Sequence, residues 1–187
     1  ILSCLVGSEM CIRDRSGLIS AEIAANNNYK VLLIEQEDDL GGEILSTRNQ
    51  DIKIDNLPIN EWKNKIVDKL SKNSNVKIVK NTTCFAYLNY NLLLAVQEID
   101  PEKGLYKKND IKERIWKIRS KKVILATGTI ERPIIFNNND RPGIMLSNSA
   151  KKYLNKYGVA AGKNLVFFTN NDSAYETAID YFEQGIK

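Results

Sequence analysis

The chain has 187 residues, 43% hydrophobic and 27% charged, a composition that excludes collagen-like, low-complexity and disordered proteins. Its net charge is +4, but the lysines are scattered rather than gathered into a basic stripe with aromatic residues, so we expect no nucleic-acid partner. The sequence has no histidine to serve as a base or metal ligand, and its apolar runs are far shorter than the roughly 20 residues of a membrane helix, so we expect neither a metal site nor a membrane partner.

Residues 1–15 differ from the rest because they fit neither a helical nor a strand period well. Their charged residues follow the apolar stretch, which is the reverse of the order in a signal peptide. The segment resembles one reading frame of a transposase adapter used in sequencing libraries. We therefore expect residues 1–15 to be a non-native artefact, with natural sequence beginning near Ser16.

Removal of that segment leaves the net charge unchanged, because it contains two acidic and two basic residues. It also leaves Cys84 as the single cysteine. One cysteine can form neither an internal disulfide nor a cysteine-based metal site, so a reducing, cytoplasmic location is expected.

The next part of the chain alternates between helix and strand patterns. Apolar residues recur at helical spacing over 17–27, and a β-branched run over 30–35 predicts a strand buried on both faces. A second helix is predicted over about 58–73, where Pro58 suits the first turn and Trp62 begins the apolar face.

A region rich in short strands follows. Its strand candidates are 76–79, 83–88, 92–99 and 114–119. The polar connection over 100–112 predicts a long hairpin loop. Beyond it we predict a buried strand over 121–128, a helix over 146–157, a strand over 163–169 and a helix over 173–184.

This order predicts an α/β fold: a three-layer, Rossmann-like FAD/NAD(P)-binding domain over 16–145, with a β-rich insertion at about 76–119. The strand that normally precedes the first helix of such a domain is expected to be missing. Residues 146–187 are expected to be the start of a second dinucleotide-binding domain, truncated before its next strand.

The candidate phosphate site is the beginning of the first helix. Only the third glycine of a G-x-G-x-x-G turn is present, as Gly17, and the first two would fall at Ile12 and Asp14. Glu35 lies 18 residues after Gly17, at the end of the second strand, where a carboxylate can accept hydrogen bonds from a ribose diol. A carboxylate there disfavours a 2′-phosphate, so the pattern favours NAD or FAD over NADP.

Three further segments bear on the cofactor. Gly41 and Gly42 allow the backbone to approach a ligand, although an ordinary loop explains them equally well. Small residues, Ala126, Thr127 and Gly128, end the strand that returns after the insertion, beside the expected cofactor. The second nucleotide-binding turn would lie at 169–174, but it contains no glycine, so we expect no cofactor there.

Longer runs carry a family resemblance. They are ATGTIERP at 126–133, Phe136, NNDRPGIM at 138–145, YLNKYG at 153–158 and FTNNDSAY at 168–175. With them the chain, from about residue 16 onward, resembles the α subunits of heterotetrameric sarcosine oxidases. The Glu-Arg-Pro element is shared more widely, with amino-acid and opine dehydrogenase subunits and with cyanide synthase.

The resemblance implies a subunit that binds NAD and assembles with the other sarcosine oxidase subunits in a hetero-oligomer. The complex converts sarcosine, tetrahydrofolate and O2 to glycine, methylene-tetrahydrofolate and peroxide, with the chemistry at flavin and the β subunit. This chain then has no catalytic residue of its own. By position, the residues lining the dinucleotide are Gly17, Glu35, Gly41, Gly42, Thr127 and Gly128.

The phosphate-loop glycines are replaced, so the polypeptide as it stands is expected to bind cofactor poorly and to be inactive. Arg132, Asp140 and Arg141 are expected to form a mutual ion pair that fixes their turn, rather than to contact a cofactor or a subunit. Two alternatives stay open: an FAD-dependent amine or amino-acid dehydrogenase subunit, and a structural module whose dinucleotide is static. The sequence does not distinguish NAD from FAD, because both present the same adenosine diphosphate half.

Overall fold

The computed structural model describes residues 2–6, 14–48, 52–99, 111–128 and 131–186. The helices are α1 (Asp14–Asn26), α2 (Ile59–Lys72), α3 (Ser147–Tyr157) and α4 (Ser173–Glu183). The strands are β1 (Leu2–Val6), β2 (Lys30–Ile34), β3 (Lys53–Ile54), β4 (Leu57–Pro58), β5 (Val76–Val79), β6 (Thr82–Leu88), β7 (Leu92–Glu98), β8 (Glu113–Arg119) and β9 (Lys122–Leu125). Short 3-10 helices lie at Gly42–Ser46 and Asn89–Asn91.

The described part of the chain contains a parallel sheet in the order β5-β2-β1-β9. β2 and β9 flank β1 on opposite sides, and β5 pairs with β2. Helices α1 and α2 make the crossovers from β1 to β2 and from β2 to β5, as in the first half of a doubly wound sheet.

The expectation that the first strand is missing is wrong, because Leu2–Val6 occupy its place between β2 and β9. Apolar residues stand at four of the five positions of this run, LSCLV, as in a strand that is covered on both faces. Main-chain hydrogen bonding between two open strand edges needs only an extended segment, whatever its side chains. That residues 1–15 are a non-native artefact stays a prediction.

The parallel sheet is the middle one of three layers, because alternate residues of β2 face opposite ways and contact a different layer on each face. Val31 and Leu33 pack with α1 and α2, whereas Leu32 and Ile34 pack towards the β-rich insertion. The apolar face of α2 is buried as predicted, at Ile59, Trp62, Ile66 and Leu70. The three-layer arrangement predicted from the sequence is therefore confirmed.

The insertion forms an antiparallel sheet in the order β6-β7-β8. β7 and β8 pair from Leu92 opposite Arg119 to Glu98 opposite Glu113, which confirms the predicted hairpin. The connection over 100–110 lies outside the described residues. Leu93, Ala95 and Ile118 of this sheet are buried against β2 and β5, so the insertion closes the second face of the parallel sheet.

Residues 146–186 form a helix pair, α3 and α4, around Ala150, Leu154 and Tyr181. The strand predicted over 163–169 is wrong: the segment is irregular, with Val166 96% and Phe168 65% exposed. A strand needs a hydrogen-bonding neighbour, and no described strand lies beside this segment. The division of the chain at 145/146 stays a prediction.

None of the described helices combines the length and the apolar character that crossing a bilayer requires.

Candidate functional site

The candidate site is the carboxyl edge of the parallel sheet. Val6, the last residue of β1, stands opposite Ile34 of β2 and Leu125 of β9, so the three strands end together. Glu35 therefore follows on one side of β1 and Ala126 on the other. In doubly wound sheets, ligands bind in the crevice outside the carboxyl ends of the strands, where the strand order reverses.

Gly17 lies in the first turns of α1, is buried, and packs against the end of β9. A Cβ built on Gly17 would lie 3.2 Å from the Cβ of Ala126. This separation is tighter than ordinary side-chain contacts, so the glycine allows α1 to begin directly beside the returning strand. That is the packing role of the third glycine in a dinucleotide-binding turn.

The other two glycine positions of that turn are only partly described. Ile12 lies outside the described residues, and Asp14 is the first residue of α1. The N–H groups of the first helical turn have no partners within the helix, and the helix dipole favours an anion there. That a pyrophosphate binds at the start of α1 stays a prediction.

Glu35 is 4% exposed and held on both sides by main-chain hydrogen bonds. Its N–H donates to the carbonyl of Val79 (2.9 Å), and its carbonyl accepts from the N–H of Thr82 (2.9 Å). Its carboxylate accepts a hydrogen bond from the N–H of Glu37, with 3.1 Å between N and Oε1. The predicted ribose-binding carboxylate thus lies at the sheet edge, next to β1, in a defined orientation.

The remaining predicted site residues lie in two segments. Gly41 (φ 123°) and Gly42 (φ 48°) have positive φ angles and lead into the short helix Gly42–Ser46, which contacts α1. Thr127 and Gly128 (φ 66°) follow β9 after Ala126, at the same edge as Glu35. The structure therefore brings Gly17, Thr127 and Gly128 to one edge and places Gly41 and Gly42 on the loop from β2. Their cofactor-binding role stays a prediction.

Helix α3, which comes late in the sequence, is hydrogen-bonded to residues near this edge. The carboxylate of Glu131, in the Glu-Arg-Pro element, accepts a hydrogen bond from the N–H of Asn148 (2.9 Å) at the start of α3. Lys152, in the middle of α3, and Lys156, near its end, both contact the carboxylate of Glu37. Burial raises the pKa of Glu37, but the hydrogen bonds from the two lysines outweigh it and hold that pKa below its ordinary value.

A second charged contact joins α3 to the loop after β2. Lys151, whose side chain is 5% exposed, lies 2.8 Å from Glu176 of α4 and 3.8 Å from Glu43. Burial raises the pKa of Glu43, although the nearby charge of Lys151 acts in the opposite direction. Asn155 donates to the carbonyl of Ser46 (2.7 Å), so α3 is tied to the short helix as well.

The turn before α4 is the place where we expect no cofactor. Side chains within the turn accept hydrogen bonds from its own N–H and hydroxyl groups. Asn171 Oδ1 accepts from the N–H and the hydroxyl of Ser173, at 3.2 and 2.6 Å. Thr169 accepts from the N–H of Asn171 (3.2 Å). An N–H of the first turn of α4 thus has a partner within the turn. That no cofactor binds there stays a prediction.

The expected ion pair among Arg132, Asp140 and Arg141 is absent from the described structure, where all three side chains are exposed and no salt bridge joins them. Backbone hydrogen bonds form the turn instead, including one from the Arg141 N–H to the Asn138 carbonyl (3.2 Å). Asn138 adopts a left-handed conformation (φ 63°), which asparagine tolerates without a charged partner.

Sequence reasoning missed the lysines of α3. Lys152 and Lys156 are four residues apart and so lie on one helical face, and the run Glu37-Asp38-Asp39 is the acidic counterpart. This charge complementarity was the available signal, but more than a hundred residues separate the two segments.

Residues 14–71 match the family model described as an NAD(P)-binding Rossmann-like domain. The match begins at the first residue of α1 and ends within α2. The chain therefore contains a Rossmann-like domain, as predicted, and this fold supports a dinucleotide cofactor.

Curated relatives named sarcosine oxidase subunit alpha are similar to most of the chain. The protein from Corynebacterium sp. (strain P-1) is 37% identical over 174 residues, 91% of this chain and 18% of the relative. Those from Corynebacterium sp. (strain U-96) and Rhizobium meliloti (strain 1021) are 36% and 33% identical, over 86% and 91% of this chain and 16% and 17% of the relatives. The chain thus spans less than a fifth of the length of these relatives. The resemblance predicted from the sequence is confirmed.

Among solved structures, L-proline dehydrogenase from P. horikoshii has a TM-score of 0.72 and 25% sequence identity. The match covers 99% of this chain and 34% of that one. The proteins that this chain resembles are thus oxidoreductases or subunits of oxidoreductases.

Proposed function

We propose that the chain is the dinucleotide-binding part of an oxidoreductase subunit of the sarcosine oxidase α type, with NAD at the carboxyl edge of the parallel sheet. The observation that carries this proposal is the approach of Gly17 to Ala126, 3.2 Å between Cβ positions, across β1 from Glu35. This approach is the packing that a dinucleotide-binding turn requires.

The residues have distinct roles in the proposal. The start of α1 faces the pyrophosphate, where the helix dipole favours an anion. Glu35 accepts hydrogen bonds from the adenosine ribose. Gly41, Gly42, Thr127 and Gly128 line the cofactor with backbone, and bound NAD supplies an acceptor for hydride.

We assign no catalytic residue to this chain. The proposal places the oxidative demethylation of sarcosine, with tetrahydrofolate and O2, in a hetero-oligomer in which the β subunit provides the flavin. The name of the relatives, a subunit of sarcosine oxidase, supports such partners. As the first two phosphate-loop glycines are replaced, we expect the complete natural subunit to bind the cofactor more tightly than this chain does. With Cys84 as the single cysteine after residue 15, we place the complex in the cytoplasm.

A second candidate is an FAD-dependent amino-acid or amine dehydrogenase subunit. The similarity to L-proline dehydrogenase over nearly the whole chain favours it specifically. FAD has the same adenosine diphosphate half, so Gly17 and Glu35 would serve either cofactor. In a third, structural variant the dinucleotide would hold subunits together without changing its redox state.

The test uses the complete gene product, co-expressed with its neighbouring subunits. The purified complex is denatured, and the released dinucleotides are identified by mass spectrometry after the α subunit has been isolated. We expect NAD from the α subunit and oxidation of sarcosine in preference to proline. FAD from the α subunit with preference for proline would overturn the proposal in favour of the second candidate, and release of no dinucleotide would overturn both.

The redox role is tested by the absorbance of the α-subunit cofactor during turnover. Reduction in step with sarcosine oxidation is expected of a redox-active NAD. A cofactor that stays oxidised while the complex turns over would assign it the structural role.

A further inference from the structure

Three hydrogen bonds link the candidate ribose ligand to helix α3 through Glu37. The N–H of Glu37 donates to Glu35 Oε1 (3.1 Å), and the carboxylate of Glu37 accepts from Lys152 and from Lys156, the latter at 2.8 Å. Lys156 also lies 3.1 Å from Asp38. A single residue, Glu37, therefore contacts the candidate site through its main chain and α3 through its side chain.

We propose that Lys152 and Lys156 are positioning residues for nucleotide binding: by holding the Glu37 carboxylate, they fix the backbone N–H that orients the Glu35 carboxylate towards the adenosine ribose. This inference deepens the proposed function and rests on the proposed role of Glu35. It assigns a role in ribose recognition to a helix that lies more than a hundred residues away in sequence.

The ion pairs are sheltered enough to hold the turn. The side chains of Glu37 and Lys156 are 15% and 16% exposed, and that of Lys152 is 34% exposed. Exposed pairs contribute little because water and salt screen them, whereas pairs removed from water are screened much less. Two ammonium groups on one carboxylate also restrict its rotation more than one would.

The helix that carries the lysines is itself fixed at both ends. Glu131 accepts the Asn148 N–H at its start, and Gly158 ends it in a left-handed conformation with its N–H donating to the carbonyl of Leu154 (3.1 Å). Between these ends, Asn155 is bonded to Ser46 and to Asp180. The lysines are therefore presented from a rigid element, which a positioning role requires.

The two lysines should affect binding of one part of the nucleotide, the ribose. If the lysines act through Glu35, their loss should weaken recognition of the ribose hydroxyls and leave recognition of the phosphates. If they only stabilise the fold, binding of every nucleotide should fall by the same factor. Comparison of ADP with 2′-deoxy-ADP separates these cases, because ADP is the half that NAD and FAD share.

The experiment measures dissociation constants for ADP and 2′-deoxy-ADP by calorimetry, using the complete gene product freed of endogenous nucleotide. In the unsubstituted protein we expect the deoxy analogue to bind about tenfold more weakly, since a hydrogen bond to a charged group contributes about 1.5 kcal/mol or more. In K152Q/K156Q we expect this ratio to fall to about threefold or less. The conservative double variant K152R/K156R should keep a ratio of the two dissociation constants close to that of the unsubstituted protein.

The matched control is K69Q/K72Q, which makes the same charge change on α2, where Lys69 pairs with Glu22 and Lys72 with Asp68. Its ratio should equal that of the unsubstituted protein. If K152Q/K156Q does not fold, E37Q provides the same test, because it removes the carboxylate that the lysines hold but keeps the N–H; we expect its ratio to fall similarly.

An unchanged ratio in K152Q/K156Q, or in E37Q if it is used instead, would overturn the positioning role while leaving the nucleotide site intact. A ratio near one in the unsubstituted protein, or no binding of ADP, would overturn the role of Glu35 and with it the positioning role. The two failures are therefore distinguishable.

Discussion

Gly17 at the start of α1 and Ala126 at the end of β9 are in such close contact that a Cβ on Gly17 would lie 3.2 Å from the Cβ of Ala126. The two residues belong to segments that the sequence separates by the whole β-rich insertion. Their contact joins the candidate phosphate-binding helix to the strand that carries Thr127 and Gly128. This packing therefore limits how far apart the two parts of the candidate site can lie.

Substitution of Gly17 tests this packing. Gly17→Leu should lower the free energy of unfolding by about 1–3 kcal/mol, because the added side chain has no room between α1 and β9. Gly17→Ala should fail to yield the gain of about 1 kcal/mol that alanine normally gives over glycine within a helix. Urea unfolding of the chain measures both effects.

The control for Gly17 is the double substitution Gly17→Ala with Ala126→Gly, which removes the opposing Cβ. It should be more stable than the sum of the single effects, because the two substitutions act on one contact. Strict additivity would show that the two residues are not in the contact described.

Gly41 combines a positive φ of 123° with a close neighbour, since a Cβ there would lie 2.7 Å from Cδ of Lys63. Gly143 also has a positive φ, 96°, but nothing within 4 Å of an added Cβ. Gly143→Ala should therefore report the cost of the backbone conformation alone, about 1–2 kcal/mol in urea unfolding. Gly41→Ala should lower the free energy of unfolding by more than Gly143→Ala does. Adding Lys63→Ala to the Gly41→Ala variant should recover part of this extra loss, because it removes the crowding side chain. Equal losses at the two glycines would contradict the crowding at Gly41.

Tyr181 joins α4 to α3 through a buried hydroxyl. It donates to the carbonyl of Ala150 (3.1 Å) and accepts from the N–H of Ala161 (3.1 Å). Tyr181→Phe should lower the free energy of unfolding by about 1–2 kcal/mol, because two backbone groups lose their partner. Tyr175→Phe, at an exposed position on the same helix, is the matched control and should have no measurable effect. If Tyr181→Phe lowers the free energy of unfolding as little as the control does, the Tyr181 hydroxyl does not have these two buried partners and contacts water instead.

Glu37 and Glu43 should give pH dependences of opposite sign. The pKa of Glu37 is lowered in the folded chain: burial raises it, but Lys152 and Lys156 outweigh burial. Its stabilising contribution is therefore present above the ordinary glutamate pKa and is lost as the pH falls through the folded pKa. The pKa of Glu43 is raised, mainly by burial, so its contribution is present below the ordinary pKa and is lost as the pH rises through the folded pKa.

Urea unfolding of E37Q and E43Q across the acidic range measures the two contributions. Relative to the unsubstituted chain, E37Q should become less stable as the pH rises through this range, and E43Q should become more stable. The same slope for both variants would show that the α3 lysines do not distinguish the two carboxylates.

Much of the fold was predictable because local patterns agree with the packing. The run Val76–Val79 is a strand with the predicted bounds, and Trp62, Ile66 and Leu70 face the core at the helical spacing seen in the sequence. Glu35 and Gly17 were predicted as neighbours of one sheet edge, because a motif spacing fixes where the first helix and second strand must meet. These features depend on residues close together in the chain.

The errors and omissions concern partners that local sequence does not specify. The run over 163–169 has a strand-like composition, but strand formation depends on a neighbour rather than on propensity. Leu2–Val6 was expected to be absent as a strand, and yet it pairs on both sides with main-chain groups that any extended segment can use. The contact of Glu37 with Lys156 joins residues 119 positions apart, so only the folded chain reveals it.

The measurement that tests the central claim most directly is nucleotide binding at Glu35. Dissociation constants for NAD and NADP are determined by calorimetry for the complete gene product and for its E35Q variant. We predict that NAD binds more tightly than NADP to the unsubstituted protein, and that E35Q weakens NAD by about tenfold or more while narrowing or removing the preference over NADP. Equal binding of NAD by the two proteins would contradict the assignment of this sheet edge as the dinucleotide site.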